Sequence, residues 1–286
     1  MFNNIKYFSL TLIISTLFLL SSCERAIDFD LGSAESQVVV DAFLNNTSDS
    51  QFIFISKSIP YLDKNGPSGY EVDSIIVVDQ TTLKPYRFKK VRHGTYFYVP
   101  NNDSLTLGHQ FYLAVFDKAK TYVSSSKMGR VGTIDSLIYE RESPNNPKNL
   151  NFNAEFIGKD PVGVGDLVWI REYKNDTLVK DFNVAYDNAF TPSDDRNGDG
   201  ELYIVPLRTF RGYKLNDKVT IEIYSITPEC YYYLKQIDVQ LNNTAGLFAQ
   251  PVANVNGNVF DANNSKNKIL GFFNVGASIK KSGIVK

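Results

Sequence analysis

Gln51-Phe52-Ile53-Phe54-Ile55-Ser56-Lys57-Ser58 sets Phe52, Phe54 and Ser56 on one side of the chain against Ile53, Ile55 and Lys57 on the other. A period of two belongs to a β-strand, whose successive side chains point to opposite faces. The same reading extends in both directions. Upstream, Gln37 to Leu44 is a β-branched run closed by Asn45-Asn46. Downstream, a loop carries Pro60, Gly66, Pro67 and Gly69, and Asp73 to Asp79 then holds Ile75-Ile76-Val77-Val78, a run suited to a strand covered on both faces. Tyr86 to Val91 and Thr95 to Val99 flank His93-Gly94, and His109 to Phe116 and Thr121 to Ser125 flank Asp117 to Lys120, which reads as two hairpins. Seven short strands within about 90 residues predict an immunoglobulin-like antiparallel β-sandwich over residues 37–127.

Ser126 to Thr133, with Gly129 and Gly132, reads as a junction. Beyond it a second β-rich domain is expected over residues 133–286. Its strands are Ile134 to Glu140, Asn151 to Ile157, Leu167 to Tyr173, Leu178 to Ala185, Leu202 to Val205 and Lys218 to Ile226. One amphipathic helix is expected over residues 228–242. Thr227 serves as N-cap, Pro228 takes the first helical position and Glu229 faces the positive end of the dipole. Tyr231, Leu234, Ile237 and Leu241 recur at helical spacing and should cover the second sheet. From Gly246 to Lys268 the chain reads as an Asn-rich loop, and Ile269 to Ile279 as a last strand. The fold class is therefore mainly β, in two domains.

The N-terminus carries an address. Lys6 is the only charged residue before an apolar run from Tyr7 to Leu20, and Leu20-Ser21-Ser22-Cys23 closes it. That run is too short to remain a membrane span. A branched apolar residue, two small residues and a cysteine resemble the bacterial lipobox, with residues 1–22 as signal peptide and the Cys23 thiol as the acylated atom. Residues 23–36, polar and acid-rich, read as a tether between lipid and fold.

Removal of the signal takes Lys6 from 30 basic residues and leaves 31 acidic ones, so the mature chain is slightly negative. This balance predicts no basic field that would attract nucleic acid or anionic lipid headgroups. The chain has 17 Tyr and 20 Phe against one Trp, which suits pleated, half-buried surfaces. With Cys23 acylated, Cys230 stands alone, and its place among Glu229 and three tyrosines reads as a small buried apolar residue on a helix rather than a nucleophile.

Several blocks together resemble one family. They are Cys23-Glu24-Arg25 with Ile27-Asp28 and Asp30-Leu31, Val38-Val39-Val40, Ser58-Ile59-Pro60-Tyr61, and Val219 to Ile226. Tyr232-Tyr233-Leu234, Gln240-Leu241, Gly246-Leu247-Phe248 with Pro251, Asn254 to Asn258 and Gly271-Phe272-Phe273 continue it. The pattern is similar to the domain-of-unknown-function 4249 family of Bacteroidetes lipoproteins, over essentially the whole mature chain. The stretch Asp261 to Lys268 departs from it as an insert. The resemblance implies a two-part, mostly β lipoprotein associated with TonB-dependent outer-membrane transporters, and it supplies no catalytic residues.

Candidate chemistry is sparse. Asp195-Arg196-Asn197-Gly198-Asp199-Gly200 has calcium-loop spacing, with Asp195, Asn197 and Asp199 able to converge on one hard cation. Pro206 occupies the place of the usual bidentate glutamate, and the same residues suit an Asx- and Gly-rich hairpin turn. His93 and His109 lie beside turns without the spacing of a zinc site. Trp169 with Tyr173, or Tyr231 to Tyr233, offers either a sugar-stacking platform or ordinary packing. Asp-Ser and Asp-Thr steps at Ser74, Ser104, Ser136 and Thr177 resemble the O-glycosylation motif of Bacteroidetes exported proteins, and they equally open strands after turns. No other cofactor is expected. These features favour a non-catalytic binding or accessory subunit of a TonB-dependent transporter, held in the outer membrane by its lipid. An envelope assembly factor or a hydrolase acting on glycan or peptide are the alternatives. Glu24, Asp28 and Asp30 after Cys23 resemble a surface-export signal, so the cell surface is expected over the periplasmic face.

Overall fold

The structure is a computed structural model that describes residues 36–60, 63, 65–101, 103–146, 148–187, 200, 202–207, 212–241 and 253–286. The signal, Cys23, nearly all of the tether and the Asp195–Asp199 loop lie outside the described residues. In chain order the strands are β1 (Val38–Asn45), β2 (Gln51–Lys57), β3 (Ser74–Asp79), β4 (Pro85–Arg92), β5 (Thr95–Tyr98), β6 (Gln110–Asp117), β7 (Lys120–Lys127) and β8 (Ser136–Arg141). There follow β9 (Phe152–Lys159), β10 (Leu167–Lys174), β11 (Thr177–Asp187), β12 (Leu202–Leu207) and β13 (Lys218–Ile226), then α1 (Pro228–Leu241). The chain ends with β14 (Val259–Asp261), β15 (Asn264–Gly276) and β16 (Ser278–Ile284). The protein is thus mainly β with one described helix.

The first seven strands do not form the immunoglobulin-like sandwich that their spacing predicts. They join β14 and β15 in one closed sheet of order β1-β15-β14-β7-β6-β3-β4-β5-β2. Two strands turn the corners. The first half of β4 pairs with β3 and the second half with β5. β15 pairs antiparallel with β14 at its start and then parallel with β1, from Val39↔Leu270 to Asn45↔Gly276. Closure removes the open edges that a strand array otherwise exposes. Gly271 makes the second corner possible. Its φ is +95°, and a Cβ there would stand 2.0 Å from the Val40 carbonyl oxygen, so only glycine lets the backbones meet.

The barrel interior follows the alternation read in the sequence. Val40, Ala42 and Leu44 of β1, Ile53 and Ile55 of β2, and Phe111, Leu113 and Val115 of β6 all point inward and are buried. Each large apolar side chain taken fully out of water contributes about 1.5–3 kcal/mol.

The remaining strands form a four-stranded sheet, β11-β10-β13-β16, and a three-stranded sheet, β12-β9-β8. The two share a core: Phe152, Ala154 and Phe156 of β9 meet Ile170 of β10 and Val219, Ile221 and Ile223 of β13. Helix α1 begins as expected, with the Thr227 hydroxyl accepting a hydrogen bond from the Cys230 amide at 3.2 Å. It does not simply cover the second sheet. Cys230, Tyr231, Tyr233 and Leu234 pack into a separate cluster together with Phe43 and Phe272 of the barrel and Trp169 and Tyr224 of the four-stranded sheet.

Two further differences concern the C-terminus. Part of the expected Asn-rich loop forms β14 and the start of β15, and the expected single last strand is divided between β15 and a separate β16 at Ala277.

Candidate functional site

The densest chemistry lies where the barrel meets the four-stranded sheet, and strand alternation puts it there. Along β10, Val168, Ile170 and Glu172 face the core shared with β9, while Trp169, Arg171 and Tyr173 face the other way. Across the ladder stand Tyr224, Glu222 and Thr220 of β13, then Ser278, Lys280 and Ser282 of β16.

Glu222 is the hub of that outer face. It is 1% exposed. Its carboxylate accepts from Arg171 Nη2 at 3.0 Å, from the Tyr173 hydroxyl at 2.9 Å and from the Ser278 hydroxyl at 2.8 Å, with Lys280 Nζ at 3.6 Å. A buried carboxylate is tolerated only with such partners. The Arg171 guanidinium lies 4.8 Å from the Trp169 ring centroid and 5.0 Å from that of Tyr224, a double cation–π contact. Burial, the largest influence on Tyr173, lifts its phenol to about 12.

Tyr224 ties the two parts together. Fully buried, its hydroxyl lies 2.7 Å from the Leu44 carbonyl oxygen of β1 and 3.0 Å from that of Asn274 of β15, and it accepts from Asn274 Nδ2 at 3.1 Å. Around it Phe43 meets Trp169 at 5.4 Å and Phe272 at 6.3 Å, and Tyr233 meets Phe272 at 4.7 Å. Trp169 and Tyr233 thus pack against neighbouring rings, and the Tyr173 hydroxyl is bonded to Glu222. Tyr232 alone of the helical tyrosines stands well out, at 65% exposure.

On the inner face, Glu172 is an unexpected find. It is fully buried, and the Tyr213 hydroxyl donates to its Oε1, while Oε2 has no partner among the described residues. Burial pushes its carboxyl up to about 8, against a smaller lowering by Lys174, so the group is a neutral acid at pH 7. The sequence did hold a signal for it. Adjacent charges at Arg171-Glu172 in mid-strand must fall on opposite faces of the sheet, so one of them has to enter a core.

The expected sites scatter. Ser74 opens β3 and is exposed, Ser104 is exposed in a loop, Ser136 opens β8 half-buried, and Thr177 opens β11 exposed. The two histidines each take a carboxylate of their own. His93 Nδ1 lies 2.9 Å from Glu71 and His109 Nδ1 2.7 Å from Asp79. The His93 hydrogen bond, with Lys90 beside it, holds the Glu71 carboxyl below its ordinary range. For Asp79, burial pulls upward but is outweighed by hydrogen bonds from His109 and from Thr81 and Thr82. Cys230 is buried as expected, and burial followed by the Glu229 charge raises its thiol far from reactivity. A separate shallow depression of about 350 Å³ is lined by Asn146, Lys148, Asn149, Leu150, Asn151 and Lys214. Its polar groups are largely bonded to one another: Glu142 Oε2 accepts from both Asn149 and Asn151 at 3.0 Å, and Lys214 Nζ bonds Asn151.

These observations define a mainly β protein in which a closed nine-strand sheet is locked to a second pair of sheets by a buried aromatic and ionic junction. The model of one family, Domain of unknown function (DUF4249), matches residues 24–282, and the chain belongs to that family. No curated protein matches it.

Proposed function

We propose that this protein is an outer-membrane lipoprotein, displayed on the cell surface, that serves as a non-catalytic binding or accessory subunit of a TonB-dependent transporter. The observation that carries the anchoring is Leu20-Ser21-Ser22-Cys23 at the end of a short apolar run, with the family match beginning at residue 24. The junction supports a binding rather than a catalytic role. Its most connected carboxylate, Glu222, is taken up by three donors and a nearby lysine, and its aromatic rings are spent on packing. A rigid β body on an acylated tether suits a cover or feeder at a transporter mouth, with loops at the barrel ends for contact.

Cross-linking in whole cells followed by purification tests the role. Recovery of a transporter barrel with this chain supports it. Recovery only of envelope-assembly components favours the alternative of an assembly factor. Cys23→Ala should leave uncleaved precursor or release the protein from membranes, and a mature-sized variant that still fractionates with membranes defeats the anchor. Protease added to intact cells tests the surface, where complete protection of the mature chain places it on the periplasmic face instead.

A further inference from the structure

One outer face of the barrel is apolar, with cations at both ends of its longest row and exposed Asp73 at one corner, where its carboxylate accepts from the Lys118 amide. The registers of β4, β3, β6, β7, β14 and β15 place Arg87, Ile76, Ala114, Val123, Phe260 and Lys268 in one row across the sheet. A parallel row holds Pro85, Val78, Tyr112 and Ser125, and a third holds Ser74, Phe116 and Thr121. Tyr112 is 45% exposed and Phe116 37%, while Ile76, Val78, Ala114, Val123 and Phe260 are half-buried. No carboxylate stands in these rows. Both ends of the longest row are exposed cations, Lys268 lies over the Phe260 ring at 5.4 Å, and exposed Lys127 pairs with Gln110 at the next step.

From this we infer that the β4-β3-β6-β7-β14 face rests on an anionic lipid surface, with Tyr112 and Phe116 entering the headgroup layer and Arg87, Lys127 and Lys268 meeting its charge. Three considerations select that occupant. The face is the convex outside of a closed sheet, whereas a small ligand needs a concave site. A second copy related by a two-fold axis would set the cationic ends of the row against each other. An anionic bilayer supplies in one surface what the rows present, an apolar layer beneath negative headgroups, and a basic residue near such a surface gains about 1 kcal/mol. The anchoring proposed above would add to it, because an acyl chain at Cys23 would keep the protein near a bilayer and make even weak contact productive. The face itself does not depend on the anchor.

The test uses the chain from Cys23 onward with Cys23→Ser, so that no acyl chain contributes. Co-sedimentation is measured with vesicles of phosphatidylcholine alone and of phosphatidylcholine with one-fifth phosphatidylglycerol. Binding to the anionic vesicles only, weakened by 0.5 M salt and reduced about 30-fold by Arg87→Glu with Lys268→Glu, is expected. Tyr112→Ser with Phe116→Ser should reduce it at least tenfold. Should a variant not fold, judged by its far-ultraviolet spectrum, the salt dependence and the neutral-vesicle comparison still decide. Equal binding to both vesicles, no binding to either, or a dimer broken by Tyr112→Ser overturns the inference. Acylation of Cys23 is read separately by lipid labelling in cells, so failure of the anchor and failure of this face are distinguishable.

Discussion

Replacing Glu172 by glutamine should remove a pH dependence from the stability of the whole protein. The buried carboxyl is held near 8 in the folded chain, against an ordinary value of 4.5. Between those values the folded state binds more protons than the unfolded one, so stability falls as pH rises. It is at its fullest below about pH 4.5, is lost progressively up to about pH 8, and is level beyond. The slope is about 1.4 kcal/mol per pH unit, so moving from pH 5 to pH 7 costs about 3 kcal/mol. For a chain of this length that corresponds to a fall of about 6–10 °C in melting temperature. The carboxylates held low, among them Asp103 at about 2, act below this window and do not blur it. Glutamine can still accept from Tyr213, but its amide brings donors that the site does not pair, at about 1–3 kcal/mol. The variant should thus be the less stable protein at pH 5 and the more stable one above pH 8. Thermal melts followed by circular dichroism at pH 5, 6, 7 and 8 measure the difference between the two, in which every other titrating group cancels. Parallel curves across that range would show that Glu172 ionises freely and refute the reasoning.

Tyr224→Phe should lower stability by about 1–3 kcal/mol, because the Leu44 carbonyl and the Asn274 side chain lose a buried partner, and denaturant unfolding reads this directly. Gly271→Ala should prevent accumulation of soluble protein, since a Cβ at φ +95° meets the Val40 carbonyl; a soluble variant with an unchanged melt would show that the corner relaxes. Calorimetric titration of the chain with calcium decides between a metal loop and an Asx- and Gly-rich turn at Asp195–Asp199: a saturable signal that Asp195→Ala with Asp199→Ala abolishes supports the metal, and a flat trace removes it.

Strand identity was largely written in the sequence, because burial on one face leaves a period of two. The alternation in β2 and the β-branched run of β1 each lie within a residue or two of the observed strands. Closure of the barrel was not legible in the same way. It depends on Val39 finding Leu270 in a parallel register across most of the chain, and local alternation carries no information about a partner so distant. β14 has three residues, too few for a period to emerge. β16 is amphipathic but lysine-rich, Ser278 to Ile284 with Lys280 and Lys281, and its pattern is that of a strand with little buried surface. At the junction, the cap of α1 and the burial of Cys230 were readable from local chemistry. The pairing of Arg171 with Glu222 was not, since it requires the register of β10 on β13.

The same closure bears on where the chain divides. A junction at residues 126–133 would make residues 37–127 an independent module, yet two strands of their sheet come from beyond residue 258. Such a fragment would lose all seven backbone partners that β15 gives β1, and those that β14 gives β7. It would also lose Val259, Ile269, Phe273 and Val275 from the barrel core. At about 1.5–3 kcal/mol for each buried apolar side chain, that is about 6–12 kcal/mol, as large as the whole stability of an ordinary domain. The fragment should therefore be unfolded or aggregate through the exposed edges of β1 and β7. Adding residues 253–286 as a separate peptide should restore some β signal if the edges are what fails. Size-exclusion chromatography and circular dichroism of residues 37–127 decide it. A monomeric fragment with a cooperative melt would mean that the first seven strands close on their own and that β14 and β15 are a late addition rather than part of the barrel's core.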